Sequence, residues 1–131
     1  MIGLVVVAHA GLAVELVNAA EMVVGKIELA ETVGVGASDD AGMIMDAISG
    51  AIRKVSGDGA LVLADMFGGT PSNMSLSFLE AGRVEVVTGV NLPMVIEFAS
   101  KRGKMKVDEL AAALRDCGRQ SIYVAGDYLK K

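Results

Sequence analysis

The sequence predicts a three-layer α/β sandwich with a mostly parallel sheet. Short apolar runs alternate along the chain with longer segments in which apolar residues recur at helical spacing, and this alternation is typical of parallel strands joined by helices. Hydrophobic residues make up 53% of the 131 residues, which is enough for a sizeable core. Sixteen glycines against two prolines indicate many tight turns between regular elements.

The first half of the chain is predicted to contain two strands and two helices. Residues 2–8 form a continuous apolar run, which favours a strand buried on both faces. Apolar residues over 11–24 recur on one helical face, and Gly25 is placed to end that helix. A weaker strand is predicted over 29–35. Residues 38–55 combine a Ser-Asp-Asp helix start with the clearest apolar stripe of the chain.

The second half continues the alternation. Thr70 and Pro71 are typical of the N-cap and the first residue of a helix. The predicted strands of this half cover 60–64, 84–88 and 121–125, and the predicted helices cover 70–79, 91–101 and 107–118. No linker, repeat or low-complexity segment divides the chain, so residues 1–131 are predicted to form one domain.

Composition argues against several classes of function. The net charge is −4 and no basic block occurs, which argues against nucleic-acid binding. One cysteine and one histidine cannot supply the usual zinc ligands, and no metal or other cofactor is predicted. The lone Cys117 fits a reducing compartment, and the apolar N-terminus lacks a basic leader region, so a cytoplasmic location is predicted. The absence of a G-x-x-x-x-G-K-[ST] loop argues against direct use of ATP.

Candidate catalytic residues stand where predicted strands end, which is where open parallel sheets bind ligands. His9, the only histidine, follows the first strand, and Asp65 follows the third strand of the chain. Each alone is compatible with a structural role, the histidine bonded to a backbone carbonyl and the aspartate capping a loop. Together they predict a His–carboxylate pair, in which the carboxylate fixes the imidazole tautomer and leaves the other ring nitrogen as a nucleophile.

The segments beside these two residues favour a phosphate ligand. Ala10 and Gly11 open the first predicted helix, and Gly68, Gly69 and Thr70 lead into the third. Two helix N-termini with free N–H groups form an anion cradle without lysine or arginine. A pair of glycines is also common in ordinary loops, so the cradle is a hypothesis.

Three segments of the chain resemble a known protein family. They are V-V-A-H at 6–9, D-M-F-G-G-T-P-S-N at 65–73 and T-G-V-N-L-P-M at 88–94. Their order and spacing are similar to those of the IIA component of the mannose family of the bacterial phosphoenolpyruvate:sugar phosphotransferase system. The resemblance covers about residues 1–124, and Phe67 stands where some members carry tryptophan.

The resemblance implies a phosphoryl carrier. His9 is then phosphorylated by the phosphocarrier HPr and passes the phosphoryl group to a IIB component, with Asp65 orienting the imidazole and Thr70 beside the phosphohistidine. The resemblance also implies a homodimer in which a C-terminal strand, here over 121–125, is exchanged between subunits. The sequence as far as Lys131 contains no IIB segment, so the phosphoryl acceptor is expected to be a separate protein. Contact with the membrane is expected only indirectly, through transporter components.

Four alternatives compete with a sugar-transport carrier. A regulatory module could use the same phosphohistidine, and the residues do not separate this role from transport. The related phosphotransferase subunit that feeds dihydroxyacetone kinase shares the histidine but lacks the 68–71 and 89–93 segments. A receiver domain needs paired acids after its first strand to hold Mg²⁺, and that position reads Ala-His-Ala here. The plainest alternative is an α/β domain without phosphoryl chemistry.

Overall fold

Four parallel strands form the central sheet. In the computed structural model, which describes residues 1–130, the strand order is β2-β1-β3-β4 and all three neighbouring pairs are parallel. The strands are β1 (Gly3–His9), β2 (Ala30–Val35), β3 (Ala60–Ala64) and β4 (Val84–Thr88). The prediction of a mostly parallel sheet is confirmed, and these four strands begin and end within one residue of their predicted limits.

Helices cover both faces of this sheet. They are α1 (Leu12–Val24), α2 (Ala41–Val55), α3 (Thr70–Leu76), α4 (Leu92–Lys101), α5 (Val107–Gln120) and the short α6 (Ala125–Leu129). Helices α1, α4 and α5 share one apolar cluster with one face of the sheet, and α2 and α3 share a second cluster with the other face. The protein therefore has the helix–sheet–helix layers that the alternating pattern predicts.

The apolar run of β1 follows from these two covered faces. Leu4 and Val6 lie in the cluster that includes α1, whereas Val5 and Val7 lie in the cluster that includes α2, and all four are fully buried. Successive side chains of a strand point to opposite faces, so a strand covered on both sides is apolar throughout.

Helix α3 differs from its prediction at both ends. Its N-cap is Gly69 rather than Thr70, because the first intrahelical bond runs from Asn73 N–H to Gly69 C=O at 2.9 Å. It ends at Leu76 rather than Leu79. The N–H groups of Phe78 and Leu79 bond three residues back instead of four, so the chain tightens into turns after Leu76.

The predicted strand over 121–125 is wrong for the single chain. Ser121 caps the end of α5, no strand is formed over 122–124, and α6 begins at Ala125. Ile122, Tyr123 and Val124 are each about two-thirds or more exposed. Their β-branched and aromatic side chains favour a strand, but a strand needs a neighbouring edge for its hydrogen bonds, and this segment pairs with none in residues 1–130.

Candidate active site

Strand order brings the two candidate catalytic residues together. His9 is the last residue of β1, and Asp65 follows the last residue of β3. These strands are hydrogen-bonded neighbours with Val7 opposite Ala64, so both side chains stand at the same edge of the sheet. Asp65 comes 56 positions after His9 in the sequence, and β2 and α2 lie between them.

One carboxylate oxygen holds His9 at two points. The Nδ1 atom of the His9 ring lies 2.7 Å from Asp65 Oδ2, and the backbone N–H of His9 donates to the same oxygen at 2.9 Å. The Asp65 side chain is 11% exposed, whereas that of His9 is 49% exposed. The orienting carboxylate is thus mostly buried, and the ring that it orients is open to solvent.

Asp65 is ionised under ordinary conditions. Burial opposes its ionisation, but hydrogen bonds from the backbone N–H and the ring of His9, attraction to His9 and a bond from the Met66 N–H outweigh burial. The pKa of Asp65 therefore lies below its ordinary value. Its second oxygen, Oδ1, is buried and has no hydrogen-bond partner within residues 1–130.

An ionised carboxylate can only accept hydrogen bonds, so the Nδ1 atom of His9 must carry a proton. In the neutral ring the lone pair then resides on Nε2. No protein group within the described residues bonds to Nε2. The geometry therefore presents a nucleophilic nitrogen to solvent and a negative charge behind the ring.

The chain turns sharply after His9. Ala10 has a φ of +52°, in the left-handed region, and its N–H donates to Val35 C=O at 2.9 Å. The N–H of Ala10, a predicted phosphate donor, is thus already used within the fold. Four backbone N–H groups, from Gly11 to Val14, precede the first helical bond of α1, which joins Glu15 N–H to Gly11 C=O.

The other predicted phosphate-binding residues lie between Asp65 and α3. Gly68 has a φ of +84°, a value that suits glycine. A Cβ atom on Gly69 would lie 3.2 Å from His9 Cε1, so this glycine stands directly against the imidazole. Thr70 is exposed in the first turn of α3 and makes no side-chain hydrogen bond within residues 1–130.

The third segment singled out by the sequence supports the fold. Asn91 caps α4 by accepting from Met94 N–H at 3.3 Å, and its amide donates to Gly118 C=O at 3.1 Å. This residue joins α4 to α5, and no hydrogen bond links it to His9. Gly34, which is absent from the predicted site residues, does contact the site: a Cβ atom there would lie 2.5 Å from Ala10 C=O. A glycine inside a strand is the only sequence signal for such a contact.

Residues 1–130 lack both a membrane-spanning helix and a cluster of metal-binding side chains. No helix in this range is long and apolar enough to cross a membrane. No group of three or more His, Cys, Asp or Glu side chains in the same range is arranged to hold a metal ion.

The chain is similar to IIA components of the sugar phosphotransferase system. A family model described as "PTS system fructose IIA component" matches residues 3–115. The sorbose-specific EIIA component of Lacticaseibacillus casei is 30% identical over 112 residues, which cover 85% of this chain and 81% of that protein. The fructose-specific EIIA component of Bacillus subtilis is 39% identical over 72 residues, covering 54% of this chain and only 49%, about half, of that relative.

A solved structure has the same fold. The mannose/sorbose-specific IIA subunit from Enterococcus faecalis is 30% identical, with a TM-score of 0.85 over 94% of this chain and 93% of that one.

Proposed function

The chain belongs to the mannose-type IIA family of phosphotransferase-system components, and we propose that it is a phosphoryl carrier with His9 as the carrier residue. His9 accepts the phosphoryl group from phospho-HPr and passes it to a IIB component of a sugar transport system. The observation that carries this proposal is the geometry of the half-exposed His9 ring. Its Nδ1 atom is hydrogen-bonded to the mostly buried Asp65 carboxylate, and its Nε2 atom has no partner within residues 1–130.

The transfer step follows from this geometry. The Nε2 lone pair of His9 attacks the phosphorus atom of the donor phosphohistidine, an N–P bond forms on His9, and the donor N–P bond breaks with its electron pair returning to the donor ring. The Nδ1 proton stays in place, so the phosphorylated ring gains positive charge, which the Asp65 carboxylate stabilises. Transfer to IIB is the same displacement with His9 as the leaving group.

Backbone groups can hold the phosphoryl oxygens. The free N–H groups at the start of α1, beginning with Gly11, and the Thr70 hydroxyl lie on the segments that flank His9. Helix N-termini attract anions without a full positive charge. Gly68 and Gly69 leave room for this approach. Such a site suits a carrier, because a phosphoryl group held by lysine or arginine would leave less readily.

We further propose that the chain is a homodimer in which residues 121–125 extend the sheet of the second subunit. Strand β4 is at the edge of the sheet. On its outer side Val84 is already bonded to Glu80, and the Val86 N–H is bonded to Glu85 Oε1, which leaves the C-terminal part of this edge for a partner strand. A groove of about 550 Å³ runs along β4 and α5 and includes Ile122 in its lining. An exposed edge and an exposed apolar segment of strand-forming residues complement each other.

Phosphorylation measured by intact mass tests the carrier function. Wild-type protein and His9→Gln are incubated with phosphoenolpyruvate, enzyme I and HPr. We expect the wild type to gain one acid-labile, base-stable phosphoryl group and to lose it when a sorbose- or fructose-type IIB component is added. His9→Gln should gain no phosphoryl group.

The unfolding temperature of His9→Gln is first shown to equal that of the wild type, so that a lack of phosphorylation can be assigned to the missing imidazole and not to misfolding. A wild-type protein that gains no phosphoryl group from HPr of proven competence contradicts the proposal.

A further inference from the structure

We propose that Gly34 is a positioning residue for His9, acting through the carbonyl of Ala10. The inference rests on the proposed function, since it explains how the fold keeps the imidazole in its transfer geometry. Gly34 does not touch the ring. Its missing side chain gives the turn after His9 the space that this turn requires.

The contact between Gly34 and Ala10 is tight. Gly34 lies in β2, opposite Ala8 in the β1–β2 register. A Cβ atom on Gly34 would stand 2.5 Å from the carbonyl oxygen of Ala10 and would meet no other group within 3.5 Å. Real Cβ atoms do not come this close to a backbone oxygen, so an alanine at position 34 would displace the Ala10 peptide or β2.

No other feature of the structure explains why residue 34 is a glycine. Inside a strand, glycine is less favourable than alanine because it loses more backbone entropy on folding. Gly34 is exposed, and its φ lies outside the left-handed region that only glycine tolerates well. The close approach of the Ala10 carbonyl is therefore the feature that excludes a side chain.

The displaced peptide belongs to the turn that orients His9. Ala10 adopts its left-handed conformation while its N–H is bonded to Val35 C=O, and one residue earlier the His9 N–H is bonded to Asp65 Oδ2. These two bonds fix both sides of the His9 residue. The Ala10 carbonyl and the Ala10 N–H belong to consecutive peptides that meet at the Ala10 Cα. Displacing the carbonyl from β2 therefore changes the φ and ψ angles of Ala10, and with them the bond to Val35 and the direction of the His9 ring.

Nitrogen-15 NMR of the imidazole tests the inference directly. His9 is the only histidine, so one pair of ring signals reports its tautomer without assignment. In Gly34→Ala we expect a smaller fraction of the Nδ1-protonated tautomer and phosphorylation by phospho-HPr slower by about tenfold or more, as for a reacting group displaced by a fraction of an ångström. Gly103→Ala is the matched control, because a Cβ atom there meets open space.

A second variant disturbs the same turn from the other side. Ala10→Val leaves position 34 unchanged but disfavours the left-handed conformation, since β-branched residues rarely adopt positive φ. We expect the same change of tautomer, and this variant provides the test if Gly34→Ala does not fold.

The inference is overturned if folded Gly34→Ala, or Ala10→Val in its place, keeps the wild-type ring signals and the wild-type rate. Wild-type protein that is not phosphorylated at all would contradict the carrier function instead, while the NMR comparison would still test the role of Gly34.

Discussion

Asp65 has two roles at the scale of the single residue. It accepts from the ring and from the backbone N–H of His9, so it fixes the tautomer and the position of the same residue. In the proposed carrier, its carboxylate also supplies the negative charge that stabilises a phosphorylated imidazole. An amide of the same shape carries no charge and, unlike the carboxylate, can also donate a hydrogen bond to the ring.

Asp65→Asn is therefore expected to slow phosphorylation of His9 by about 10- to 100-fold without unfolding the protein. The amide can donate its N–H to Nδ1, which moves the ring proton to Nε2 and removes the nucleophilic lone pair. Rates from quenched intact-mass measurements and the nitrogen-15 signals of His9 check both effects. Asp46→Asn, an exposed position on α2, should match the wild type. A wild-type rate of phosphorylation in Asp65→Asn would refute the assigned role.

At the scale of the element, Arg102 ties three parts of the fold together at the N-terminal end of the sheet. It follows α4, is only 7% exposed, and lies 4.8 Å above the ring of Phe98. Its guanidinium donates to Ile2 C=O at 2.7 and 3.0 Å and to Glu28 C=O at 2.5 Å. It thereby provides donors for backbone carbonyls of the residues that lead into β1 and β2.

Replacing Arg102 by Met should lower the free energy of unfolding by about 2–3 kcal/mol, because buried carbonyls lose their donors. Urea denaturation followed by circular dichroism measures this change. Arg53→Met, on the exposed side of α2, should stay within about 0.5 kcal/mol of the wild type. Since Arg102 lies at the opposite end of the sheet from His9, phosphorylation at low temperature should be unaffected, and a loss of rate in folded protein would contradict this separation.

At the scale of the whole molecule, large apolar side chains after α5 stay exposed to solvent. Ile122, Tyr123 and Val124 are exposed after α5, and Tyr128 and Leu129 in α6 are exposed as well. A run of large apolar side chains in water is typical of an interaction surface. The open edge of β4 offers the hydrogen-bonding groups that such a segment can use.

Ile122→Asp is expected to convert a dimer of the wild-type protein into a monomer, because a carboxylate would be buried in the groove along β4. Sedimentation velocity over a range of concentrations measures the change. Met22→Asp, at an 89% exposed position on α1, should remain dimeric. A wild type that sediments as a monomer, or an Ile122→Asp variant that stays dimeric, would contradict the exchange of residues 121–125.

The four strands of the sheet and several of the helix ends were predictable because they depend on local chemistry. Asp40 caps α2 by accepting from Gly42 N–H at 2.6 Å, and Gly25 ends α1 with a φ of +84°. Both are visible in the sequence, since an N-cap needs a side-chain acceptor and a left-handed C-cap suits glycine. The 121–125 segment shows the limit: its side chains favour a strand, yet a strand forms only beside another edge.

The sequence by itself determined the fold class and the residue types of the site: one histidine and one aspartate, each at the end of an apolar strand. Only the tertiary structure determined that β1 and β3 are neighbours, and hence that His9 and Asp65 meet at 2.7 Å. The hydrogen bond from Ala10 N–H to Val35 C=O and the contact of Ala10 with Gly34 could not be predicted from the sequence either. Hydrophobic periodicity records which side of each element is buried, but it carries no information on which strands lie side by side.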